Sequence, residues 1–92
     1  MKTYKVLLNP KAYGELKSLP VELSVRIKDG LKNLRKDPYK ARSGADIKPL
    51  HGTSSPRLYR LRVGDYRAIY WVDEKNSEVL VEKIAPRRKA YD

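Results

Sequence analysis

The spacing of apolar residues changes once along this chain, from a helical period in the first half to an alternating period in the second. The helical repeat consists of Leu23, Ile27, Leu31 and Leu34. Weak alternation over residues 47–50 is followed by clear alternation over 58–63, 66–71 and 79–84. Apolar residues at every third or fourth position indicate one face of a helix, and a period of two indicates half-buried strands. The second half of the chain is therefore predicted to be a sheet that packs against helices from the first half.

The boundaries of the first elements follow from prolines and capping residues. Residues 3–8 predict a short strand, after which Asn9 can cap a helix that begins at Pro10, where a missing N–H is harmless. Pro20 ends this helix and can begin the next one, which predicts a helical hairpin. Pro38 stops the second helix, because the residue before a proline disfavours helical geometry.

The turns of the second half predict a meander of neighbouring strands. Gly64 and Asp65 can close a tight hairpin, while residues 73–77 form a looser loop. We therefore expect a single α+β domain over residues 1–92. It consists of an N-terminal strand, a two-helix hairpin and then a three- to four-stranded antiparallel meander, with the helices on one face and the other face open.

The charge of the chain limits its partners. There are 21 Lys and Arg against 11 Asp and Glu, and the formal net charge of +10 attracts nucleic acid, anionic membrane surfaces or acidic proteins. No run approaches the roughly 18 apolar residues of a spanning helix, so insertion into a membrane is not expected. The absence of cysteine removes disulfides, thiolate nucleophiles and cysteine-based zinc sites, and it fits a cytoplasmic location.

Three arginines are predicted to lie on the open face of the sheet. Residues two apart in a strand face the same way, so Arg60 and Arg62 project together. A hairpin register that brings Arg67 beside them would concentrate three guanidinium groups. The tail, residues 85–91, is basic and ends with Tyr91, a combination suited to phosphate contact and base stacking.

Three segments resemble the RelE toxins of the RelE/ParE superfamily: residues 50–52, 58–70 and 87–91. In the second segment, a tyrosine is followed in order by a basic, an apolar and a basic residue, and then by Gly-Asp-Tyr-Arg. This pattern is fairly specific for the superfamily. A terminal arginine with a tyrosine after it favours the ribonuclease branch. The resemblance implies a toxin of a type II toxin-antitoxin system that enters the ribosomal A site and cleaves the mRNA there. It also implies a RelB-like antitoxin as the partner that silences the toxin.

The resemblance also implies roles for individual residues. Arg60 and Arg62 would hold or activate the scissile phosphate, and Arg67 would neutralise charge in the transition state. Arg87 would lie near the leaving oxygen, and Tyr91 would stack on a base or help to activate the 2′-hydroxyl. The further residues expected to bind RNA are Arg57, Lys83, Arg88 and Lys89. We expect no cofactor and no metal, because guanidinium groups can stabilise the charge that builds on the phosphate.

One departure from the family pattern concerns proton transfer. Bacterial members carry lysines where this chain has Arg60 and Arg62, and an arginine is a poor proton carrier. We therefore interpret these two residues as phosphate clamps and assign proton transfer to Tyr91, or to groups of the ribosome and the RNA. The only histidine, His51, is interpreted as a turn or packing residue.

Two alternatives remain open from the sequence. A ParE-like toxin has the same fold but inhibits DNA gyrase, and it requires no RNA-cleaving site. A basic nucleic-acid-binding module without catalysis would also account for the net charge. In the toxin interpretations, an acidic or amphipathic helical segment of the antitoxin would cover the basic face and the sheet edges.

Overall fold

One sheet and two helices form the part of the chain that the computed structural model describes, residues 2–91. The strands are β1 (Lys5–Leu8), β2 (Asp46–Pro49), β3 (Tyr59–Val63), β4 (Tyr66–Asp73) and β5 (Glu78–Pro86). The helices are α1 (Pro10–Lys17) and α2 (Val21–Lys32), and a short 3-10 turn, Asn33–Arg35, follows α2. This order confirms the predicted α+β fold.

Both helices begin where the sequence predicts, and each ends a few residues before the proline that was expected to stop it. The Asn9 side chain accepts a hydrogen bond from the Ala12 N–H at 2.8 Å, and Pro10 occupies the first turn of α1. Pro20 is the N-cap of α2, whose first helical residue is Val21. Within residues 2–91, neither helix has the length and apolar character needed to cross a membrane.

The sheet is mixed, with the strand order β1-β5-β4-β3-β2. Strands β2 to β5 form the predicted antiparallel meander, and Val63 pairs with Tyr66 across the tight turn at Gly64. Gly64 has a φ of +59°, which a two-residue hairpin of this kind requires. The N-terminal strand adds a feature that the alternation pattern does not contain, since β1 pairs in parallel with β5 at the sheet edge.

The two faces of the sheet are buried to different extents. The main core lies between the helices and the sheet, and its central strand residues are Leu61, Ala68, Tyr70, Val79 and Val81. On the other face a smaller cluster joins Ile69, Ala85 and Ala90, with Leu50 and Leu58 packed against it. The predicted open face is thus covered in part, by the loop between β2 and β3 and by the turn after β5.

A carboxylate in the loop between β4 and β5 joins three separate segments of the chain. Glu74 accepts a hydrogen bond from the Tyr4 hydroxyl at 2.7 Å and also contacts Tyr39 and Lys2. Hydrogen bonds from Lys2, Tyr39 and Tyr4 lower the pKa of Glu74 to about 2. The cluster ties the N-terminal segment and the segment after α2 to this loop.

Candidate functional site

The register of the sheet places the three strand arginines on one face. Arg62 pairs directly with Arg67, and Arg60 pairs with Ile69 two residues further from the turn. The intervening Leu61 and Ala68 belong to the core beneath the helices. Because successive strand residues alternate between faces, the arginines lie on the face opposite the helices.

Arg67 is held at the hairpin turn. Its side chain is almost buried, with 7% of the residue exposed, and Nη1 donates hydrogen bonds to the carbonyls of Gly64 and Tyr66, both at 3.1 Å. A guanidinium has five N–H donors, so these two bonds leave donors for an anion. Arg67 is therefore a pre-oriented cation on a fixed turn.

The two arginines of β3 differ in their environment. Arg60 is 11% exposed in its side chain and forms an ion pair with Asp46 at 3.0 Å, together with a hydrogen bond to the Asp46 carbonyl at 2.9 Å. Arg62 is exposed, and its Nε donates a long hydrogen bond of 3.4 Å to the Gly64 carbonyl. Of the two, Arg62 presents its charge more openly to an anion.

The turn after β5 brings the tail to the same end of the hairpin. The Arg87 N–H donates to the Asp65 carbonyl at 2.8 Å, which ties the tail to the turn between β3 and β4. We call the adjoining recess of about 730 Å³ the hairpin cleft; Asp65, Arg87, Arg88 and Tyr91 line it. Its charge is predominantly positive, so it suits a phosphate group.

A second recess of about 660 Å³ lies on the same face, and we call it the loop cleft. Its floor contains Leu58 and Ile69, and its walls include His51, Lys83 and Tyr91. Tyr91 thus borders both clefts. An apolar floor with cationic and aromatic walls can accept a nucleobase and its neighbouring phosphates.

A bulge in β5 shapes one wall of the loop cleft. Ile69 pairs with Lys83 and Tyr70 pairs with Val81, so Glu82 is an extra residue without a partner in β4. Both Glu82 and Lys83 then line the cleft. The Glu82 carboxylate accepts a hydrogen bond from Trp71 Nε1 at 3.0 Å.

The other residues expected to bind RNA occupy four different places. Lys83 lines the loop cleft and Arg88 lines the hairpin cleft. Lys89 is exposed and borders a recess beside α1, while Arg57 is exposed in the loop between β2 and β3. Only two of the four therefore line the two clefts.

Sequence reasoning did not associate His51 with Tyr91. The structure places both side chains on the wall of the loop cleft, together with Lys11 from the start of α1. No local pattern predicts this arrangement, because it depends on how a long loop and the tail fold onto the sheet. The only available signal was that His51 is the only histidine in the chain.

Comparisons with known proteins give matches over nearly the whole chain. The family model described as the ParE toxin of the type II toxin-antitoxin system parDE matches residues 6–91. A Methanocaldococcus jannaschii protein with the name RelE1 is 30% identical over 88 residues, which cover 96% of this chain and 94% of that protein. A chain in the crystal structure of the archaeal RelE-RelB complex from Pyrococcus horikoshii is 35% identical, with a TM-score of 0.78 over 96% of this chain and 99% of that one. At 22% identity, a chain of the toxin-antitoxin complex RelBE2 from Mycobacterium tuberculosis shares the fold, with a TM-score of 0.76 over 92% of this chain and 99% of that one.

Proposed function

The chain belongs to the ParE toxin family of type II toxin-antitoxin systems, and on this premise we propose that it is a RelE-type ribonuclease that cleaves mRNA in the ribosomal A site. The identities with RelE1 of M. jannaschii and with the P. horikoshii RelE-RelB structure support the RelE branch. The proposal rests on the β3–β4 hairpin, in which Arg62 pairs with Arg67. The Arg87 N–H is bonded to the turn of this hairpin, and Arg87 and Tyr91 line the adjoining hairpin cleft.

The proposed reaction is attack of a 2′-hydroxyl on the adjacent phosphorus. The bond between O2′ and phosphorus forms, the bond between phosphorus and O5′ breaks, and the products are a 2′,3′-cyclic phosphate and a 5′-hydroxyl. Negative charge builds on the phosphate oxygens, where oriented guanidinium groups stabilise it without a metal. Holding the reacting atoms in line supplies much of the remaining acceleration.

Each proposed residue has a role that fits its environment. Arg62 and Arg67 bind the scissile phosphate from the sheet, and Arg87 approaches it from the tail, near the leaving oxygen. Arg60 also binds the phosphate, but more weakly, because its ion pair with Asp46 neutralises part of its charge. Tyr91 stacks on a base or takes the proton of the 2′-hydroxyl, for which the charge of its basic neighbours is favourable.

Four further cations are proposed to hold the RNA on either side of the cut. Their contacts are to phosphates, which position a nucleic acid without reading its sequence. They are Arg57, Lys83, Arg88 and Lys89. Because the substrate is mRNA on a ribosome, the proposed place of action is the cytoplasm.

The proposed partner is a RelB-like antitoxin. The P. horikoshii relative was crystallised as a RelE-RelB complex. The net charge of +10 favours an acidic partner, and β1 and β2 are the two edges of the sheet, to which a partner segment can add. Expression with the neighbouring reading frame should give a stable complex that does not arrest growth. Recovery of the wild-type chain as a nontoxic monomer without a partner would contradict this assignment.

A ParE-like gyrase inhibitor is the second candidate, because the matching family model carries the ParE description. The two functions differ in their target. Purified toxin should cut mRNA on translating ribosomes and leave gyrase supercoiling unchanged. Inhibited supercoiling with intact mRNA would select the ParE-like function instead, and growth arrest with neither effect would favour a non-catalytic nucleic-acid-binding module.

Matched arginine variants test the site on programmed ribosomes. Arg62→Gln and Arg87→Gln should each slow cleavage by about 100-fold or more, the usual effect of removing one donor to a charged transition state. Arg35→Gln is the control, because it makes the same substitution at an exposed residue of the 3-10 turn after α2. If the three variants cleave equally fast, the reaction takes place elsewhere on the molecule. Full activity of Tyr91→Phe would leave Tyr91 only a stacking role.

A further inference from the structure

We propose that His51 is the general acid of the cleavage reaction and protonates the leaving 5′-oxygen from the wall of the loop cleft. The inference rests on the ribonuclease function proposed above and adds a residue to it. It gives the only imidazole of the chain a chemical role that none of the arginines can fill, because a guanidinium does not release its proton under these conditions.

The backbone on both sides of His51 is fixed by hydrogen bonds. The Leu50 N–H donates to the Leu58 carbonyl at 2.8 Å, which closes the loop at its base. The Thr53 hydroxyl donates to the Leu50 carbonyl at 2.7 Å and accepts from the Leu58 N–H at 2.9 Å. Gly52, with a φ of +80°, supplies the turn beside the histidine. The exposed imidazole therefore projects from a tethered loop.

The loop and the tail are held by the same small apolar cluster. Leu50, next to His51, packs against the cluster that contains Ile69 and Ala90. Ala90 is 4% exposed, and it is followed directly by Tyr91. These two anchored neighbours therefore hold the backbone of His51 and of Tyr91 at the same cleft.

The charged groups around His51 come from two elements. Lys11 at the start of α1 and Lys83 in β5 are basic, and Glu82 beside Lys83 is acidic. The Glu82 carboxylate accepts the Trp71 indole N–H. The two lysines attract the phosphates of the RNA backbone to the cleft that His51 lines.

The two proton transfers of the reaction are assigned to the two clefts. Tyr91 borders the hairpin cleft with Arg87 and Arg88, and in this proposal it accepts the 2′-hydroxyl proton. When the bond between phosphorus and O5′ breaks, its electron pair goes to O5′, which takes the proton of His51. Imidazole is suited to this step because its ordinary pKa lies near neutral pH.

A sulfur leaving group separates acid catalysis from positioning. Ribosomes are programmed with mRNA in which one A-site linkage carries sulfur in place of the bridging 5′-oxygen, because a thiolate leaves without being protonated. His51→Ala should cleave ordinary mRNA about 100-fold more slowly than wild type. On the thio-linked mRNA its rate should return to within a few-fold of wild type.

The control is Lys11→Ala, which removes a cation from the same cleft. This variant should lose the same factor on both substrates, because it weakens RNA binding and has no part in protonation. Wild type should also slow on ordinary mRNA as pH rises and the imidazolium is lost, and His51→Ala should lack this decline. Equal rates of His51→Ala and wild type on ordinary mRNA, or the same defect on both substrates, would overturn the proposal. If wild type cuts neither substrate, the ribonuclease function itself is wrong, and this proposal is overturned with it.

Discussion

The pair of facing arginines predicts a variant that gains stability while it loses activity. Arg62 lies directly opposite Arg67, and like charges at directly opposite positions of an antiparallel pair are destabilising. Arg67 is only 7% exposed, so water screens its charge poorly. Arg62 also lies opposite Asp46 on β2, but that carboxylate is already paired with Arg60 at 3.0 Å. Arg62→Gln therefore mainly removes the repulsion, and it keeps a polar side chain at an exposed position.

The expected gain is about 0.5 kcal/mol in the free energy of unfolding, near the middle of the range for cross-strand pairs. The hydrogen bond from Arg62 to the Gly64 carbonyl is also lost, but at 3.4 Å it is weak. The chain has 92 residues, and unfolding entropy is about 2.1 cal/mol/K per residue, so Tm should rise by about 2 to 3 °C. In about 1 M salt, where the Debye length is about 3 Å, most of the gain should disappear.

The assay is thermal unfolding followed by circular dichroism, at low salt and in about 1 M salt. Arg35→Gln is again the control, because it lowers the net charge equally at an exposed residue outside the sheet. Its Tm should not rise. Sulfate, which can bridge two arginines, should stabilise wild type more than Arg62→Gln.

Two results would refute this reasoning. A lower Tm for Arg62→Gln at low salt would mean that Arg62 makes a net favourable contribution to the folded state. An equal rise in Arg35→Gln would mean that the effect comes from net charge and not from the facing pair.

Two further predictions concern packing and pH. Gly30→Ala should lower the free energy of unfolding although alanine favours helix by about 1 kcal/mol, because the new Cβ would lie 2.9 Å from Val63 Cγ2 and overpacking costs about 1 to 3 kcal/mol. Urea unfolding measures the loss, and combining the change with Val63→Ala should recover part of it. The pKa of Glu74 falls from 4.5 to about 2 on folding, so its carboxylate stabilises the protein above pH 4.5, and this contribution is lost as pH falls toward 2. Glu74→Gln should therefore be less stable than wild type at neutral pH, and the difference measured by urea unfolding should shrink toward pH 2.

Local sequence rules predicted the parts of the fold and the site that depend on near neighbours. Alternation along β3 and β4, with only Gly64 and Asp65 between them, is enough to bring Arg62 and Arg67 to the same face of one hairpin. Asn9 and Pro10 defined the start of α1 in the same way. In each case the interacting residues are close in sequence, so turn and capping preferences act directly.

The remaining features depend on contacts between distant segments, for which the chain has no local signal. The ion pair between Arg60 and Asp46 follows from the register of β2 against β3, which are separated by a long loop. The approach of His51 to Tyr91 requires both that loop and the tail to pack on Ile69. Small apolar residues such as Ala90 fix such contacts by burial, and their role appears only in three dimensions.

The chemistry of the RNA ends, after incubation of the purified chain with programmed ribosomes, tests the proposed ribonuclease function most directly. We expect one cut in the A-site codon, with a 2′,3′-cyclic phosphate on the upstream fragment and a 5′-hydroxyl on the downstream fragment. Arg62→Gln and Arg87→Gln should abolish these ends while Arg35→Gln retains them. Intact mRNA under these conditions, or a downstream fragment that carries a 5′-phosphate, would contradict the proposed function.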